Sequence, residues 1–306
     1  MSPLHLLLHL RLPFSLFLAP IGLLGLLAAG PLDGGRTFWI FLSLHVFLYS
    51  ASNAFNSFYD KDEGPIGGLK NPPPVDKSLL HTSLVWEFLG LICAYMASPW
   101  FALLMFLYGL FSKLYSWDKT RWKAKPLAGL LCIIFGQGSL TFLAVAWTAG
   151  NGPLSSGEWA GVFQPGTWSG LPWATQLLGA LVSALILWGV YPLTQVYQHK
   201  EDSRRGETSY SLWVGIKGTF VSSVLAFSLA APVFIFFLYF LMPQELLVSL
   251  SLLGFGLVPA LVYLGMWMHR VWKDENAADF KSTMTMNILA SGGLNLALTA
   301  LLILRG

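Results

Sequence analysis

Charged residues are scarce in this chain, and cysteines are almost absent. Asp, Glu, Lys and Arg make up 11% of the 306 residues, hydrophobic residues make up 55%, and the mean hydropathy is +0.61. This balance excludes an ordinary soluble domain. The two cysteines, Cys93 and Cys132, lie in apolar stretches without metal-ligand spacing. We therefore expect them to pack in the interior rather than form a disulfide or bind a metal.

The sequence also lacks a concentrated basic patch. Its net charge of +3 comes from Lys and Arg residues distributed among the polar segments that flank apolar stretches. Such a distribution does not indicate nucleic-acid binding. Because these basic residues flank membrane spans, they can attract anionic membrane lipid or an anionic substrate, and the sequence gives no indication of oligomeric state.

Apolar stretches long enough to cross a bilayer, roughly 17–25 residues as helices, recur along the chain. They predict an all-α integral membrane protein with one transmembrane domain over residues 1–306. The third stretch is short and depends on a break at Ser98-Pro99, so eight spans is the alternative to nine. The first stretch has no small-residue cleavage site followed by a polar mature chain, so it is expected to be retained. The nine predicted spans are 12–30, 37–58, 83–97, 99–116, 127–148, 173–197, 214–240, 246–268 and 283–304.

The positions of the basic residues predict the orientation. With nine spans and the N-terminus inside, only Arg36 and Arg305 of the 18 basic residues fall on the outer side. The long predicted outer loop 149–172 contains neither Lys nor Arg. The positive-inside rule therefore favours a multi-pass protein with its N-terminus in the cytoplasm and its C-terminus outside.

Two polar patches interrupt the apolar sequence with identical spacing, 142 residues apart. Both step by 4, 3, 4 and 3 residues, so on a helix each patch forms a stripe along one face. Polar and ionisable residues are costly at membrane depth and usually indicate function. We therefore expect two walls that face one cavity. The first wall contains Tyr49, Asn53, Asn56, Asp60 and Glu63, and the second contains Tyr191, Gln195, Gln198, Asp202 and Arg205.

The chemistry of these walls suits a hard cation. Mg²⁺ prefers oxygen ligands and is usually held by one or two carboxylates together with substrate phosphates. Both stripes end at the predicted cytoplasmic ends of their spans, which places the expected site at that membrane face. The next inner loop supplies positive charge for a phosphate group through Arg121, Lys123 and Lys125. Lys70, Arg204 and Arg205 are further candidates for the same purpose.

These residues together resemble the UbiA superfamily of intramembrane prenyltransferases. Asn56-x₃-Asp60 followed by Glu63 looks like the first Asp-rich motif, NxxxDxxxD. Gln198-x₃-Asp202-x₃-Gly206 is similar to the second, DxxxDxxxG, and is followed by Thr208. Tyr115, Arg121 and Lys123 match the YxxxxxRxK element between them. The resemblance covers essentially the whole chain and implies a bundle of two four-helix units plus one helix.

The resemblance implies Mg²⁺-dependent transfer of a prenyl group from a polyprenyl diphosphate to an electron-rich, usually aromatic, hydrophobic acceptor. The catalytic residues would then be Asp60, Asp202, Asn56 and Lys123. The metal ligands would be Asn56, Asp60, Glu63 and Asp202. The substrate-binding residues would be Arg121, Tyr115, Gln198, Arg205, Asn53, Gln195 and Lys125.

Two positions depart from the family pattern. Gly64 stands where a third acidic residue is expected, and Gln198 replaces the first Asp of the second motif. Glutamine offers a carbonyl oxygen but no charge, so the number of metal ions and the class of acceptor stay open. A transporter with matched polar stripes and a terpene cyclase on the same fold are the alternatives. A CDP-alcohol phosphotransferase is disfavoured because its DGxxAR signature is missing.

Overall fold

The computed structural model describes residues 1–155 and 172–305, and their regular structure is helical apart from one bridge between Ile66 and Leu69. Most of the predicted outer loop 149–172 lies outside the described residues. We number the helices in chain order. They are α1 Pro3–Leu10, α2 Ala19–Ala28, α3 Gly34–Asp60, α4 Lys77–Ala97, α5 Pro99–Ser116, α6 Pro126–Thr148, α7 Trp173–Arg204, α8 Tyr210–Leu241, α9 Leu246–Lys273 and α10 Phe280–Arg305.

Seven of the described helices, α3, α4 and α6 to α10, are long and apolar enough to cross a membrane. The bent pair Pro3–Phe17 and Ala19–Ala28, with 47° between its halves, raises that number to eight. The remaining predicted span, 99–116, corresponds to α5, which has 18 residues and does not belong to this set. The all-helical membrane fold therefore stands, while the count of nine and the orientation stay predictions.

The third predicted span was too short at its N-terminal end. Helix α4 begins at Lys77 rather than near residue 83, because the Asp76 side chain caps it by accepting a hydrogen bond from Ser78 N at 2.7 Å. The first turns are polar, so hydropathy alone did not include them. The helix has 21 residues, enough to cross a bilayer.

Large apolar side chains cover the outside of the bundle. Leu247 is 79% exposed and Phe255 is 87% exposed on α9, and Ile303 is 77% exposed on α10. Such surfaces are unfavourable in water and are suited to lipid. Aliphatic side chains, with some alanine and aromatic residues, fill the interior, where α7 packs against α8 and α9 packs against α10.

Helices α3 and α7 leave regular α geometry near the two predicted stripes. Helix α3 contains a π-helical stretch at Leu42–Leu48, and α7 tightens into a 3₁₀ segment at Pro192–Gln198. Pro192 cannot continue the α-helical hydrogen bonding, which accounts for the change at this point in α7. The π and 3₁₀ stretches lie next to or within the two predicted stripes, and such irregular turns are frequent at functional sites.

Candidate active site

A polar cavity of about 200 Å³ lies where the C-terminal ends of α3, α5 and α7 converge. Both predicted stripes contribute to its wall, as expected from their spacing. Asn53, Asn56 and Asp60 line it from α3. Tyr191, Gln195, Gln198 and Asp202 line it from α7. Two stripes that are 142 residues apart in sequence thus present amides and carboxylates to the same cavity.

The stripes do not continue to their predicted ends. Helix α3 ends at Asp60 because Lys61 adopts a left-handed conformation, with φ of 49°. Glu63 therefore leaves the helix face, is exposed, and does not line the cavity. Its neighbour Asp62 lines the cavity instead. Tyr49, at the other end of the stripe, is buried in the bundle outside the cavity wall.

Arg205 also lies outside the cavity wall, because α7 ends at Arg204. Its guanidinium forms ion pairs with Asp62 at 3.0 Å and with Glu201 at 2.6 Å. Glu201 in turn accepts a hydrogen bond from Glu63 N at 3.2 Å. Arg205 therefore joins the loop after α3 to the end of α7 and holds Asp62 at the cavity.

The basic loop between α5 and α6 presents only one of its three predicted cations to the cavity. Lys123, in the 3₁₀ turn Trp122–Ala124, lines the wall and forms an ion pair with Asp60. Arg121 lies behind it, 3.4 Å from Asp60 and paired with Glu207. Lys125 is exposed and does not reach the cavity.

Asp60 lies beside two cations, a contact that the sequence did not reveal. Lys123 and Arg121 both form ion pairs with its Oδ1, but without hydrogen-bond geometry, so this buried oxygen has no hydrogen-bond partner among the described residues. Burial raises the pKa of Asp62 to about 6, and the charge of Asp60 adds to the effect, while Lys123 and Arg205 oppose it. The acidic wall is thus only partly compensated by protein cations.

Arg11, Ser209 and Glu207 line the cavity wall and were not predicted as site residues. Arg11 donates hydrogen bonds to Gly67 O at 3.2 Å and Asn53 O at 3.1 Å. Ser209 donates to Asp202 Oδ2 at 3.0 Å. Glu207 lines the cavity between Arg121 and Lys123. The acidic character of Glu207, directly after Gly206 of the second motif, was the available signal.

The loop between α3 and α4 covers one side of the cavity. Ile66 and Gly67 line the wall, and the turn is closed by reciprocal backbone hydrogen bonds between Ile66 and Leu69. Gly67 packs on the Phe14 ring so closely that a Cβ at this position would lie 2.6 Å from Phe14 Cζ. A glycine is therefore required for the loop to approach the N-terminal segment.

Tyr115 and Tyr191 meet at the inner end of the polar cavity. Their hydroxyl oxygens are 3.0 Å apart, and Gln195 Nε2 donates to Tyr191 OH at 2.8 Å. Gln195 Oε1 accepts from Ser211 N at 3.3 Å, which fixes the amide orientation. Asn56 Nδ2 donates to Ser116 Oγ at 3.1 Å and leaves its amide oxygen without a hydrogen-bond partner in the described part of the chain.

A second, apolar cavity of about 300 Å³ adjoins the polar one. Helices α2, α7, α8, α9 and α10 supply most of its wall with Leu, Ile, Phe and Ala side chains. Six residues line both cavities, so the two spaces meet. These residues are Phe14, Asn53, Ile133, Gln137, Tyr191 and Thr194.

The donor set of the polar cavity fits a magnesium ion, since it offers carboxylate and amide oxygens from opposite walls. Across residues 1–155 and 172–305, no group of three His, Cys, Asp or Glu side chains is close enough to hold a metal ion alone. Asp60 and Asp202 could each supply one ligand. A substrate with its own oxygen ligands would complete such a site.

Comparison with known proteins identifies the family. The model of the UbiA prenyltransferase family matches residues 16–289. The chain belongs to this family. Members of the family are prenyl-transferring membrane enzymes, and the match agrees with the three motifs. No curated protein matches the sequence.

Solved UbiA homologues have the same fold. The apo homologue from Aeropyrum pernix K1 has a TM-score of 0.66 and 17% identity, covering 94% of this chain and 97% of that one. The Archaeoglobus fulgidus homologue bound to GPP and Mg²⁺ has a TM-score of 0.63 and 16% identity, covering 98% and 99%. A digeranylgeranylglyceryl phosphate synthase has a TM-score of 0.55 and 16% identity, covering 98% and 96%. The predicted all-α membrane fold is therefore confirmed.

Proposed function

We propose that this protein transfers a prenyl group from a polyprenyl diphosphate to a hydrophobic, electron-rich acceptor, with Mg²⁺ as cofactor. The observation that carries the proposal is the junction of the two cavities. A charged, oxygen-rich space opens directly into a larger apolar one. A polyprenyl diphosphate has the same two halves, a multiply charged head and a hydrocarbon tail.

The polar cavity binds the diphosphate head. Lys123 supplies a positive charge at the wall, and Arg121 adds a second from behind it. Asn56 and Gln198 contribute neutral oxygens beside the carboxylates of Asp60 and Asp202. Asp60, Asp202 and Asn56 would hold Mg²⁺ together with the substrate, and the bound ion would supply the charge neutralisation that makes diphosphate a leaving group.

The reaction begins when the allylic C1–O bond breaks and its electron pair leaves with the diphosphate. Lys123 stabilises the charge that develops on the departing oxygen. The ring of Tyr191 lines both cavities, and the ring of Tyr115 lies beside it in the polar cavity. Near the junction, where C1 would be located, each ring can stabilise the allylic cation by about 0.5–2 kcal/mol. A carbon of the acceptor then bonds to C1, and the acceptor releases a proton.

Water must be kept from the cation, because hydrolysis competes with transfer. The Ile66–Leu69 turn covers one side of the polar cavity, and Phe14 packs beneath it while lining both cavities. The Met1 amino group contacts Asp76, and His9 contacts the Pro73 carbonyl. These contacts connect the N-terminal segment to the loop between α3 and α4. We infer that this cover excludes bulk water during ionisation.

The experiment that tests the function uses purified protein, geranylgeranyl diphosphate and a panel of phenols and hydroquinones. We expect Mg²⁺-dependent release of diphosphate together with an acceptor whose mass increases by one prenyl group less one proton. Chelation of Mg²⁺ should abolish both signals. Cyclic hydrocarbons formed without an acceptor would indicate a terpene cyclase instead. Folded protein that releases no diphosphate from any prenyl diphosphate would contradict the proposal.

A further inference from the structure

Arg11 brings a positive charge to the polar cavity that no carboxylate of the described residues contacts. Arg11 and Lys123 are the Lys and Arg side chains of the cavity wall. Lys123 is paired with Asp60, and Asp62 of the same wall is paired with Arg205. Arg11 forms no ion pair with any carboxylate in the part of the chain that the structure describes. Its charge is therefore left for another partner.

The hydrogen bonds of Arg11 do not account for its charge. Nη1 donates to Gly67 O at 3.2 Å and Nη2 donates to Asn53 O at 3.1 Å, while the buried Nε has no hydrogen-bond partner among the described residues. A neutral amide group could donate to the same carbonyl oxygens. A charge withdrawn from water without a counter-ion is unfavourable. The guanidinium therefore indicates that an anion binds beside it.

The backbone of Arg11 is strained as well. Between α1 and the 3₁₀ segment Leu12–Phe17, Arg11 adopts the left-handed conformation, with φ of 47° and ψ of 45°. A glycine adopts this conformation without the steric cost that a side chain adds. Strained backbone of this kind is concentrated at functional sites. The turn alone therefore does not explain an arginine at this position, and the side chain must supply the reason.

Contacts with α3 place Arg11 next to the junction of the two cavities. Asn53, whose carbonyl oxygen accepts from Arg11, lines both cavities, and so does Phe14, whose ring centroid lies 5.6 Å from Arg11 Cζ. Lys123 contacts α3 at Asp60, seven residues further along, which is about 10 Å of helix. The two cations therefore approach the polar cavity from its inner and outer ends.

We propose that Arg11 binds the phosphate group attached to C1 of the prenyl diphosphate. This inference rests on the proposed prenyl transfer and adds a substrate-binding residue outside the three motifs. With the hydrocarbon tail in the apolar cavity, the phosphate that carries C1 lies nearest to the junction and hence to Arg11. A guanidinium matches the geometry of phosphate oxygens. Arg11 therefore stabilises the negative charge that this phosphate gains when the C1–O bond breaks.

The test uses geranyl monophosphate and geraniol, which have the same hydrocarbon chain and differ by one phosphate group. Their affinities for the purified full-length protein are measured by titration calorimetry in detergent with EDTA, so that no Mg²⁺ mediates the contact. We expect the wild-type protein to bind the monophosphate about tenfold or more tightly than geraniol, the range of a charge-assisted hydrogen bond. Arg11→Gln should remove most of this preference and leave geraniol binding unchanged.

Arg11→Lys separates the charge of Arg11 from its hydrogen bonds to the loop. Glutamine keeps an amide that can donate to Gly67 O but has no charge, whereas lysine keeps the charge. Arg11→Lys should therefore retain a clear preference for the monophosphate. An equal loss of preference in both variants would overturn the proposal, because Arg11 would then act by holding the loop. Unchanged preference in Arg11→Gln would overturn it too, as would equal affinity of the wild type for both probes.

Arg204→Gln is the matched control, because Arg204 is exposed at the end of α7 and does not line the cavity. It removes one positive charge near the same membrane face and should keep the wild-type preference. A loss equal to that in Arg11→Gln would show that only the overall charge matters and would contradict the proposal. If Arg11→Gln does not fold, Arg11→Met is measured in the same way.

Geranyl diphosphate binding with Mg²⁺, measured on the same preparations, separates this inference from the proposed function. Binding by the wild-type protein, together with unchanged monophosphate preference in Arg11→Gln, would contradict the assignment of Arg11 alone. Absence of geranyl diphosphate binding in every protein would contradict prenyl transfer, and the assignment of Arg11 would be withdrawn with it.

Discussion

Lys123 Nζ forms a direct ion pair with Asp60 Oδ1 at the wall of the polar cavity. In the proposed reaction these two groups have different tasks, since Lys123 binds the diphosphate and Asp60 binds the metal. Their direct contact means that each neutralises the other before substrate binds. Entry of Mg²⁺ and diphosphate would separate the pair, giving Asp60 to the metal and Lys123 to the phosphate oxygens.

Replacing Lys123 is therefore expected to impair the reaction. We expect Lys123→Met to lower turnover about 100-fold or more, in the range found when one group that stabilises developing negative charge is removed. Diphosphate release is the measurement. Lys125→Met is the matched control, because Lys125 is on the same loop but exposed and away from the cavity. Equal loss of activity in both variants would show that only the loop's overall charge matters.

Asp62 rather than Glu63 is expected to influence the metal. Asp62 lines the cavity and is held by Arg205 at 3.0 Å, whereas Glu63 is exposed. Asp62→Asn should raise the Mg²⁺ concentration needed for half-maximal activity about tenfold, as is typical when a group supporting a metal site is removed. Glu63→Gln should leave it unchanged. A larger effect of Glu63→Gln would mean that the loop rearranges when substrate binds.

Ile186 should limit the length of the prenyl chain. It lines the apolar cavity eight residues before Thr194, which lines both cavities, and eight residues of helix span about 12 Å. Ile186→Trp should therefore weaken binding of geranylgeranyl diphosphate and spare geranyl diphosphate, measured as thermal stabilisation with Mg²⁺. Leu181→Trp is the control, because the Leu181 side chain is 47% exposed on the outer face of the same helix. Equal weakening for both chain lengths would place the hydrocarbon elsewhere.

The sequence was sufficient to predict that α3 and α7 share a cavity, because helical spacing places Asn56 with Asp60 and Gln198 with Asp202. It failed where the helices stop. The predicted span 37–58 ended close to Asp60, but the stripe was extended to Glu63, which the left-handed conformation of Lys61 diverts to the surface. The boundaries of α4 were also misjudged, since capping by Asp76 includes polar turns that hydropathy omits.

Side chains that depend on distant contacts were beyond sequence reasoning. Arg11 and Glu207 reach the cavity through bonds to Gly67 and Arg121, which are far away in the chain. Lys123 and Lys125 look equivalent in the sequence, yet the turn at Trp122–Ala124 directs only Lys123 inward.

Binding of geranyl diphosphate to Asp60→Asn and Asp202→Asn tests the central claim most directly. The measurement is thermal stabilisation of the purified protein by geranyl diphosphate, with and without Mg²⁺. The control is Asp274→Asn, which lies away from the cavity and keeps its helix-capping ability, since Asn caps as well as Asp. We expect Mg²⁺-dependent stabilisation in the wild type and Asp274→Asn, and its loss in both cavity variants. Undiminished Mg²⁺-dependent stabilisation in both cavity variants would contradict the account.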